Sequence, residues 1–583
     1  MLLLWLACAA VGLGARALWR APADAFPVLA AVTASAGLVG AIGLAQHLLG
    51  FALFPQGIAP ASTFVNKNVG AGFVLLTWPL GACLLSIGRR PAWRVALGLA
   101  LALQLVYLFV VFSRSVWLAL AAQLAAALLL AARRWPLRRR LELAAGAAAL
   151  AGALALAGPG LPGPIGEALR HLGTIRRGLG SEVSADQGVV SVRGRLAVWA
   201  NTLAMVRERP VLGVGLGGHR RLYAAYAHAA RPDPLFSSRH QLDFVHNDFL
   251  QVTAEQGLVG LLLWLTALAT AFRALWARAS RGAPEEQRVA VAAGLLLVGL
   301  CVDGCFAFPL ERALPPLLVA LALAAALAPA GGGERRAPRA LAWGALATGL
   351  CLGAVFGRWL LADRQVATLL AAQRSGDIPA ARRAAERALA LEPAAFPPAF
   401  LLGRLSLDEH RPAEALVWLG RALRARPFDP ATLGTRAEAW GAAGDLEQAV
   451  ADARRVARIL PREAGAWYEL GRWLERAGRP AEAREAYVAA ARLAPGRADV
   501  QARLAVAAWR SGARDEAVQA AEAALRLDPG AALVHKLLGL ALLEVPERRG
   551  EGLEHLRTAL ALDPRTPDAE RLRALLQEAD ARQ

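Results

Sequence analysis

The sequence predicts an all-α protein in two parts, a polytopic transmembrane helical domain followed by a C-terminal α-solenoid of short helical repeats. The hydrophobic content of 56% and the mean hydropathy of +0.38 are high for a chain of 583 residues. Long Leu, Ala and Val runs fill residues 1–361, whereas residues 362–583 are charged and rich in alanine. Prolines and alanines recur every 34 residues in this second part.

About ten segments of the first part are apolar and long enough to cross a bilayer, which takes about 20 residues. We predict spans at residues 2–19, 26–46, 69–87, 95–112, 116–132, 141–158, 257–276, 288–306, 314–330 and 341–361. With this count all the arginine-rich connections face the cytoplasm, as the positive-inside rule requires. These connections are residues 88–94, 133–140, 278–288 and 334–339.

The predicted spans divide the chain into four regions. These are N-terminal transmembrane helices (1–158), an extracytoplasmic catalytic loop (159–256), C-terminal transmembrane helices (257–361) and a repeat domain (362–583). The loop and the repeat domain share the side opposite the basic connections. In a Gram-negative cell this side is the periplasm, and the chain is a multi-pass protein of the inner membrane.

The net charge of +19 does not indicate a nucleic-acid-binding protein. Much of the arginine excess lies in the short connections between spans, and no stripe of aromatic residues is interleaved with it. All five cysteines lie within apolar spans, so no disulfide framework is predicted. The histidines between residues 159 and 256 match no common ligand spacing, and we predict neither a metal site nor a cofactor.

The repeats have a recognisable consensus. The prolines stand at positions 393, 427, 461, 495 and 529, and the alanines at positions 381, 415, 449, 483 and 517. The unit AWYELGRWLERAGRPAEAREAYVAAARLAP at 466–495 resembles the tetratricopeptide repeat at Trp467, Leu470, Gly471, Gly478, Ala483, Tyr487 and Pro495. About six such units bury a continuous core by stacking. The array either binds a protein partner of unknown identity or only positions the rest of the chain.

The segment before the seventh predicted span is unusually polar. Residues 195–208 have helical spacing, with Leu196, Trp199, Leu203 and Val206 on one side, and Pro210 ends this helix. We expect the glycines at 213, 215, 217 and 218 to form a flexible elbow. They follow no strand, which excludes a dinucleotide-binding fingerprint.

Four motifs in this segment occur in a familiar order. They are R-L-x-x-W (195–199), P-V-L-G-V-G (210–215), H-N-D-F-L-Q (246–251) and E-x-G-L-V-G (255–260). Together they resemble the O-antigen ligase and polymerase family. The T-F-x-N-x-N motif at 63–68 and the Ser113–Arg114 pair are similar to further segments of that family. The resemblance covers about residues 50–330.

The resemblance implies transfer of a glycan from undecaprenyl pyrophosphate to an acceptor hydroxyl. In ligases the acceptor is lipid A–core, in Wzy-type polymerases a growing glycan, and in protein O-oligosaccharyltransferases a serine or threonine. We favour the ligase reaction and expect it to be metal-independent, because arginines can neutralise the diphosphate.

Candidate site residues follow from this chemistry. His246 is the predicted general base, and Arg195 and Arg239 are predicted to act with it on the diphosphate. Asp243, Asp248 or Glu255 could orient the imidazole or compete with it as the base. The predicted substrate-binding residues are Arg114, Arg221, Asn247, Asn66, Asn68 and Glu255. Arginines at a membrane edge also extend to headgroups, and asparagines also cap helices, so these structural roles remain open.

A transporter and a membrane-anchored repeat scaffold fit the sequence less well. A transporter carries ionisable groups near the middle of its spans, whereas here Asp303 is the one such residue that stands out and the polar groups gather at one face. A membrane-anchored repeat scaffold needs far fewer than ten spans. We therefore favour the enzyme, with undecaprenyl-pyrophosphate-linked glycan, lipid A–core or a growing glycan, and membrane lipids as its partners.

Overall fold

The computed structural model is helical throughout the residues it describes, with no strand among them. These residues are 2–19, 21–50, 62, 67–88, 90–111, 113–132, 138, 192–233, 236, 244–311, 314–328, 339–566 and 568–580. Contacts divide the chain into two compact units, one of residues 1–235 and 242–360 and the other of residues 236–241 and 361–583. The division falls within a single long helix, Arg339–Ser375.

The first unit contains apolar helices and two shorter polar ones. The apolar helices are α1 (Leu2–Leu18), α2 (Phe26–Leu49), α3 (Lys67–Ile87), α4 (Pro91–Val110) and α5 (Arg114–Ala132), then α8 (Asp248–Arg281), α9 (Pro284–Gly304), α10 (Leu314–Ala326) and the start of α11 (Arg339–Ser375). The polar ones are α6 (Val192–Glu208) and α7 (Gly218–Tyr226). In the core α2 packs on α4, α3 and α5 pack on α9, and α1 packs on α10.

Six helices in the described part of the chain are long and apolar enough to cross a membrane: Pro22–Leu49, Asn68–Ile87, Pro91–Val110, Asp248–Arg281, Pro284–Gly304 and Trp343–Ser375. Three further predicted spans coincide with shorter apolar helices, Leu6–Leu18, Ser115–Ala131 and Leu314–Ala326. The predicted span 141–158 lies outside the described residues. The predicted count of ten is therefore not confirmed.

Buried amide side chains join the apolar helices. Gln123 of α5 accepts a hydrogen bond from Trp78 Nε1 at 2.7 Å and donates to the carbonyl oxygens of Leu75 and Leu295 at 3.3 and 3.0 Å. A Cβ at Gly299 would lie 2.2 Å from Gln123 Nε2, so this glycine makes room for the amide. Because an unpaired amide is costly in an apolar interior, these bonds fix how α3, α5 and α9 pack.

The second unit is a stack of antiparallel helix pairs. Its helices are α12 (Ile378–Leu391), α13 (Phe396–Asp408), α14 (Pro412–Ala425), α15 (Pro430–Ala442), α16 (Leu446–Ile459), α17 (Ala464–Arg476), α18 (Pro480–Leu493), α19 (Ala498–Arg510), α20 (Arg514–Leu527), α21 (Ala532–Leu543), α22 (Arg549–Leu562) and α23 (Ala569–Asp580). The recurrent alanines at 381, 415, 449, 483 and 517 are each at most 1% exposed. The predicted repeat solenoid is therefore present.

The turn inside five of the repeats has a left-handed backbone at one position. Gly376, Gly444, Gly478 and Gly512 have φ between 72° and 88° there, and His410 has φ 58° at the equivalent position. Glycine adopts this conformation without steric cost, which explains why it recurs every 34 residues.

Candidate functional site

The polar segment before α8 begins with α6, and α6 is held by one asparagine. Asn201 Nδ2 donates to the carbonyl oxygens of Ala227 and Arg231 at 2.7 and 2.9 Å. Its Oδ1 accepts from the backbone N–H groups of Ala230 and Arg231, both at 2.9 Å. Asn201 is fully buried, and with these four bonds it fixes the turn after α7 against α6.

The predicted apolar face of α6 is not the buried one. Leu196 and Leu203 are 39% and 44% exposed, whereas Ala197, Val198 and Met205 are at most 4% exposed. The buried side also carries Asn201, whose polar groups are satisfied internally. Hydrophobic periodicity alone selects the wrong side here, because hydrogen bonds compensate for burying polar side chains.

A second buried polar group lies between α6 and α7. His219 Nε2 lies 3.4 Å from Thr202 Oγ1, and its ring packs against Tyr223 with a centroid separation of 4.9 Å. Tyr223 donates to the Asp233 carboxylate at 2.7 Å. Burial and the negative charge of Asp233 both raise the pKa of Tyr223, so this phenol stays protonated. Sequence reasoning did not identify these residues; polar residues at helical spacing on α6 were the available signal.

Helix α8 is interrupted near its start. Gly257 has φ 68° and ψ −170°, which breaks the helix into residues 248–256 and 258–281. Leu258 N and Val259 N consequently have no partner one turn back in α8. They donate instead to the carbonyl oxygens of Pro210 and Val211, at 2.8 and 3.3 Å.

The carbonyl groups released by this break are satisfied by the same segment. Val214 N donates to Ala254 O at 2.9 Å, and Gly215 N donates to Glu255 O at 2.8 Å. Backbone pairing between residues 210–215 and the break in α8 thus replaces the missing helical hydrogen bonds. We call this arrangement the clasp.

Two glycines make the clasp possible by allowing close backbone approach. A Cβ at Gly213, where φ is 67°, would lie 2.5 Å from the carbonyl carbon of Glu255. A Cβ at Gly257 would lie 2.0 Å from Val211 O. The predicted flexible elbow is therefore a hydrogen-bonded structure, and the P-V-L-G-V-G and E-x-G-L-V-G motifs are its two sides.

Glu255 links the clasp to α7. Its carboxylate accepts from Gly217 N at 2.8 Å and from His219 N at 3.4 Å, at the first turn of α7. A carboxylate there also interacts favourably with the helix dipole. Glu255 was predicted to bind substrate; its carboxylate accepts these backbone hydrogen bonds, and substrate contact stays a prediction. Arg220 and Arg221 of α7 are exposed.

His246 lies at the entrance to α8. It is half-buried, has φ 57°, and its ring meets the ring of Phe308 edge-on at 5.1 Å. Phe308 stacks in turn on Phe244 at 4.3 Å. Asn247 is the N-cap of α8, with its Oδ1 accepting from Leu250 N at 3.0 Å. For Asn247 the capping role left open by the sequence is therefore realised, and substrate contact stays a prediction.

The residue before His246 is bound to both neighbouring helices. Trp199 Nε1 of α6 donates to Val245 O at 3.0 Å, and Val245 N donates to Gln251 Oε1 of α8 at 3.3 Å. Arg195 lies one turn before Trp199 on the same side of α6, half-buried and with its Nε atom shielded from solvent. The structure thus joins Trp199 to the segment that carries His246, and Arg195 lies one turn before Trp199 on α6.

Two buried carboxylates lie at the start of α8 and near the end of α9. Asp248 is 3% exposed and its Oδ2 accepts from Leu310 N at 3.0 Å. Asp303 is 5% exposed and is the penultimate residue of α9, so it does not lie in the middle of a span as expected. A Cβ at Gly72 would lie 3.6 Å from Asp303 Oδ2, which places the start of α3 beside the end of α9.

The remaining predicted residues lie at helix starts or outside the described side chains. Asn68 is exposed in the first turn of α3, which begins at Lys67, so it is not the N-cap of that helix. Arg114 is the first residue of α5, and its side chain lies outside the described part of the structure, as do Asn66, Arg239 and Asp243. Among the described residues no cluster of three or more His, Cys, Asp or Glu could hold a metal ion.

Comparison with known proteins supports the two-part reading. Residues 99–265 match the family model described as O-antigen ligase. This part of the chain is therefore similar to O-antigen ligases. Residues 474–541 match a tetratricopeptide repeat model. The resemblance drawn from the motifs is thereby confirmed, and the matched O-antigen ligase region contains α6, α7 and both sides of the clasp.

Solved structures are similar to about a third of the chain. YrrB, described as a TPR protein with an unusual peptide-binding site, is 19% identical over 33% of this chain and 99% of its own, with a TM-score of 0.31. Pseudomonas aeruginosa PilF is 19% identical over 37% and 99%, with a TM-score of 0.31. MamA of Desulfovibrio magneticus RS-1 is 23% identical over 29% and 95%, with a TM-score of 0.27. No curated protein matches the chain.

Proposed function

We propose that this chain transfers a glycan from undecaprenyl pyrophosphate to an acceptor hydroxyl, and that the acceptor is lipid A–core, as in an O-antigen ligase. The family of residues 99–265 supports this class of reaction. The observation that carries the proposal is the bonding of Val245, next to His246, to Trp199 of α6 and Gln251 of α8, with Arg195 one turn before Trp199.

Arginine is suited to the donor. A lipid-linked diphosphate brings about two negative charges to the membrane edge. One guanidinium group can donate two parallel hydrogen bonds to phosphate oxygens, and it stays positively charged. Arg195 and Arg221 are the described candidates, and Arg239 and Arg114 are the candidates outside the described side chains. Because fixed cations can stabilise the departing diphosphate, the proposed reaction needs no metal ion.

His246 is the proposed general base. The acceptor oxygen attacks the anomeric carbon and forms the new glycosidic bond, while the bond from that carbon to the diphosphate oxygen breaks. The bonding electrons leave with undecaprenyl pyrophosphate, and the acceptor proton passes to the imidazole of His246. Attack opposite the leaving group inverts the anomeric configuration.

The structural roles of two predicted residues change how they enter the proposal. Glu255 acts by fixing the first turn of α7, which carries Arg220 and Arg221, and Asn247 acts by capping α8 directly after His246. Both are positioning residues. Asn66 and Asn68 remain proposed contacts to the glycan.

The proposed location is the bacterial inner membrane, with α6, α7 and the repeat domain in the periplasm. The arginine-rich connections between predicted spans support this orientation. The repeat domain is proposed to bind a protein partner, since stacked helical repeats offer an extended surface.

Surface polysaccharide from a strain lacking this chain tests the reaction. A ligase predicts that all glycan-capped lipid A–core disappears from the gel and returns with the wild-type chain. Capping by single units alone would identify a polymerase instead. An unchanged pattern with unglycosylated surface proteins would identify a protein O-oligosaccharyltransferase.

A further inference from the structure

Residues 211–216, which include one side of the clasp and lead into α7, expose large apolar side chains. We call them the clasp segment. Val211 is 60% exposed, Leu212 is 72% exposed and Leu216 is 46% exposed. Adjacent exposed apolar residues on a short connection are unusual for a segment surrounded by water and mark a contact surface. We propose that this segment inserts into the lipid of the membrane that α8 crosses.

The position of the segment on α8 supports lipid as the occupant. The hydrogen bonds of the clasp attach Val211 to Val259, and α8 exposes Leu258 (49%), Val259 (42%) and Leu262 (62%) from this point onward. The apolar window of α8 is only 17% buried, as expected for a helix that faces lipid. The exposed apolar surface of the clasp is therefore continuous with the lipid-facing surface of a spanning helix.

The backbone of the segment also suits an apolar environment. Non-helical backbone is tolerated at membrane depth only where its polar groups are satisfied by protein. Gly213 N donates to Arg209 O at 3.1 Å, and Val214 N and Gly215 N donate to α8 at 2.9 and 2.8 Å. The carbonyl oxygens of Pro210 and Val211 accept from α8. The clasp thus supplies the backbone hydrogen-bond partners that lipid cannot supply.

Insertion has a consequence for α7. Helix α7 begins at Gly218, directly after the segment, and carries the exposed Arg220 and Arg221. A segment anchored in the acyl region holds these arginines near the depth of lipid phosphates. A role of these arginines in binding the diphosphate rests on the proposed function, whereas the insertion of the segment does not.

Depth-dependent fluorescence quenching tests the insertion with the full-length chain. The five native cysteines are replaced by alanine, and Leu212→Cys is labelled with an environment-sensitive dye. The protein is placed as a single copy in nanodiscs of phosphatidylethanolamine and phosphatidylglycerol. Ala225→Cys, at an exposed position of α7, is the matched control. Quenchers are a nitroxide on the acyl chain and iodide in the water.

We expect the dye at position 212 to be quenched several-fold more by the acyl nitroxide than the dye at position 225, with the reverse order for iodide. Iodide quenching at 212 as strong as at 225 overturns the proposal. So does protection from both quenchers accompanied by disulfide cross-linking between copies at 212 in vesicles, because a second copy then covers the segment. Leu216→Cys repeats the test if Leu212→Cys does not fold.

Discussion

His246 is held in a backbone conformation that few residues other than glycine adopt. A φ of 57° costs a non-glycine residue about 1 kcal/mol or more, and such strain persists where surrounding contacts impose it. Here the contacts are the bonds of Trp199 and Gln251 to Val245, and the edge-on contact with Phe308. Strained residues of this kind cluster at functional sites, which is consistent with the proposed role of His246.

Arg195 provides a test of the diphosphate contact. We predict that Arg195→Ala lowers kcat/KM for glycan transfer by about 100-fold, the order of effect seen when one charge-stabilising donor is removed. Arg195→Lys retains the charge but loses the paired N–H groups, so its activity should lie between those of wild type and Arg195→Ala. Transfer assays on purified variants measure this.

Arg207 is the matched control, since it lies on the same helix and is exposed. Arg207→Ala should transfer at close to the wild-type rate. Equal losses for Arg195→Ala and Arg207→Ala would mean that α6 contributes only its overall charge.

At the scale of elements, the clasp makes one structural unit from segments 40 residues apart in sequence. Gly257→Ala should push residues 210–215 away from α8, because the new Cβ would overlap Val211 O, 2.0 Å away. We predict a loss of about 2 kcal/mol or more in the free energy of unfolding, together with loss of transfer. Thermal unfolding in nanodiscs measures the first effect.

Gly294→Ala in α9 controls for the added methyl group, since a Cβ there meets no atom within 4 Å. This variant should be as stable as wild type or slightly more stable, because alanine favours the helix. If both variants unfolded at the same temperature, the clasp would not contribute to stability.

The end of the repeat domain contains a histidine pair that should respond to pH. His535 Nε2 lies 3.1 Å from Pro529 O, and His535 Nδ1 lies 2.9 Å from His555 Nδ1. Neutral His535 therefore donates through Nε2 and accepts at Nδ1 from His555. Burial and the proximity of His535 lower the pKa of His555, against smaller opposing effects of Glu551 and Glu522.

A lowered pKa in the folded state means that the unfolded chain binds more protons below pH 6.5, the ordinary value. The stability of α21 and α22 is then full above this pH and decreases as the pH falls below it. In hydrogen–deuterium exchange of the full chain, the protection factors of these helices, corrected for the slower intrinsic exchange at low pH, should be smaller at pH 5.5 than at pH 7.5. His555→Gln should reduce this difference, and an equal difference in that variant would contradict the assignment.

At the scale of the whole molecule, the sequence predicts those features that depend on local periodicity. Apolar runs indicated the helices of the first unit, and the recurrence of buried Ala381, Ala415 and their equivalents indicated the repeats. The apolar runs and the recurring alanines both depend on residues that lie in one helix or in helices adjacent in the sequence. The number of spans was harder to predict, because α1, α5 and α10 are short and a helix that is apolar all round can be buried by protein or by lipid.

The site could be predicted only in part, because its geometry depends on contacts between distant segments. The motifs led to the prediction of His246 and Arg195, which stays a prediction, but they could not reveal that Glu255 binds the backbone of α7 or that Gly257 breaks α8. For the same reason the apolar side of α6 does not mark its buried face, since Asn201 on the other side finds its partners after α7.

Transfer by the purified chain tests the central claim most directly. The full-length protein in nanodiscs is given an undecaprenyl-pyrophosphate-linked glycan and lipid A–core, and the products are identified by mass spectrometry. We predict that wild type joins the glycan to lipid A–core without added metal, and that His246→Ala, with wild-type thermal stability, does not. Wild-type activity in the His246→Ala variant would contradict the account.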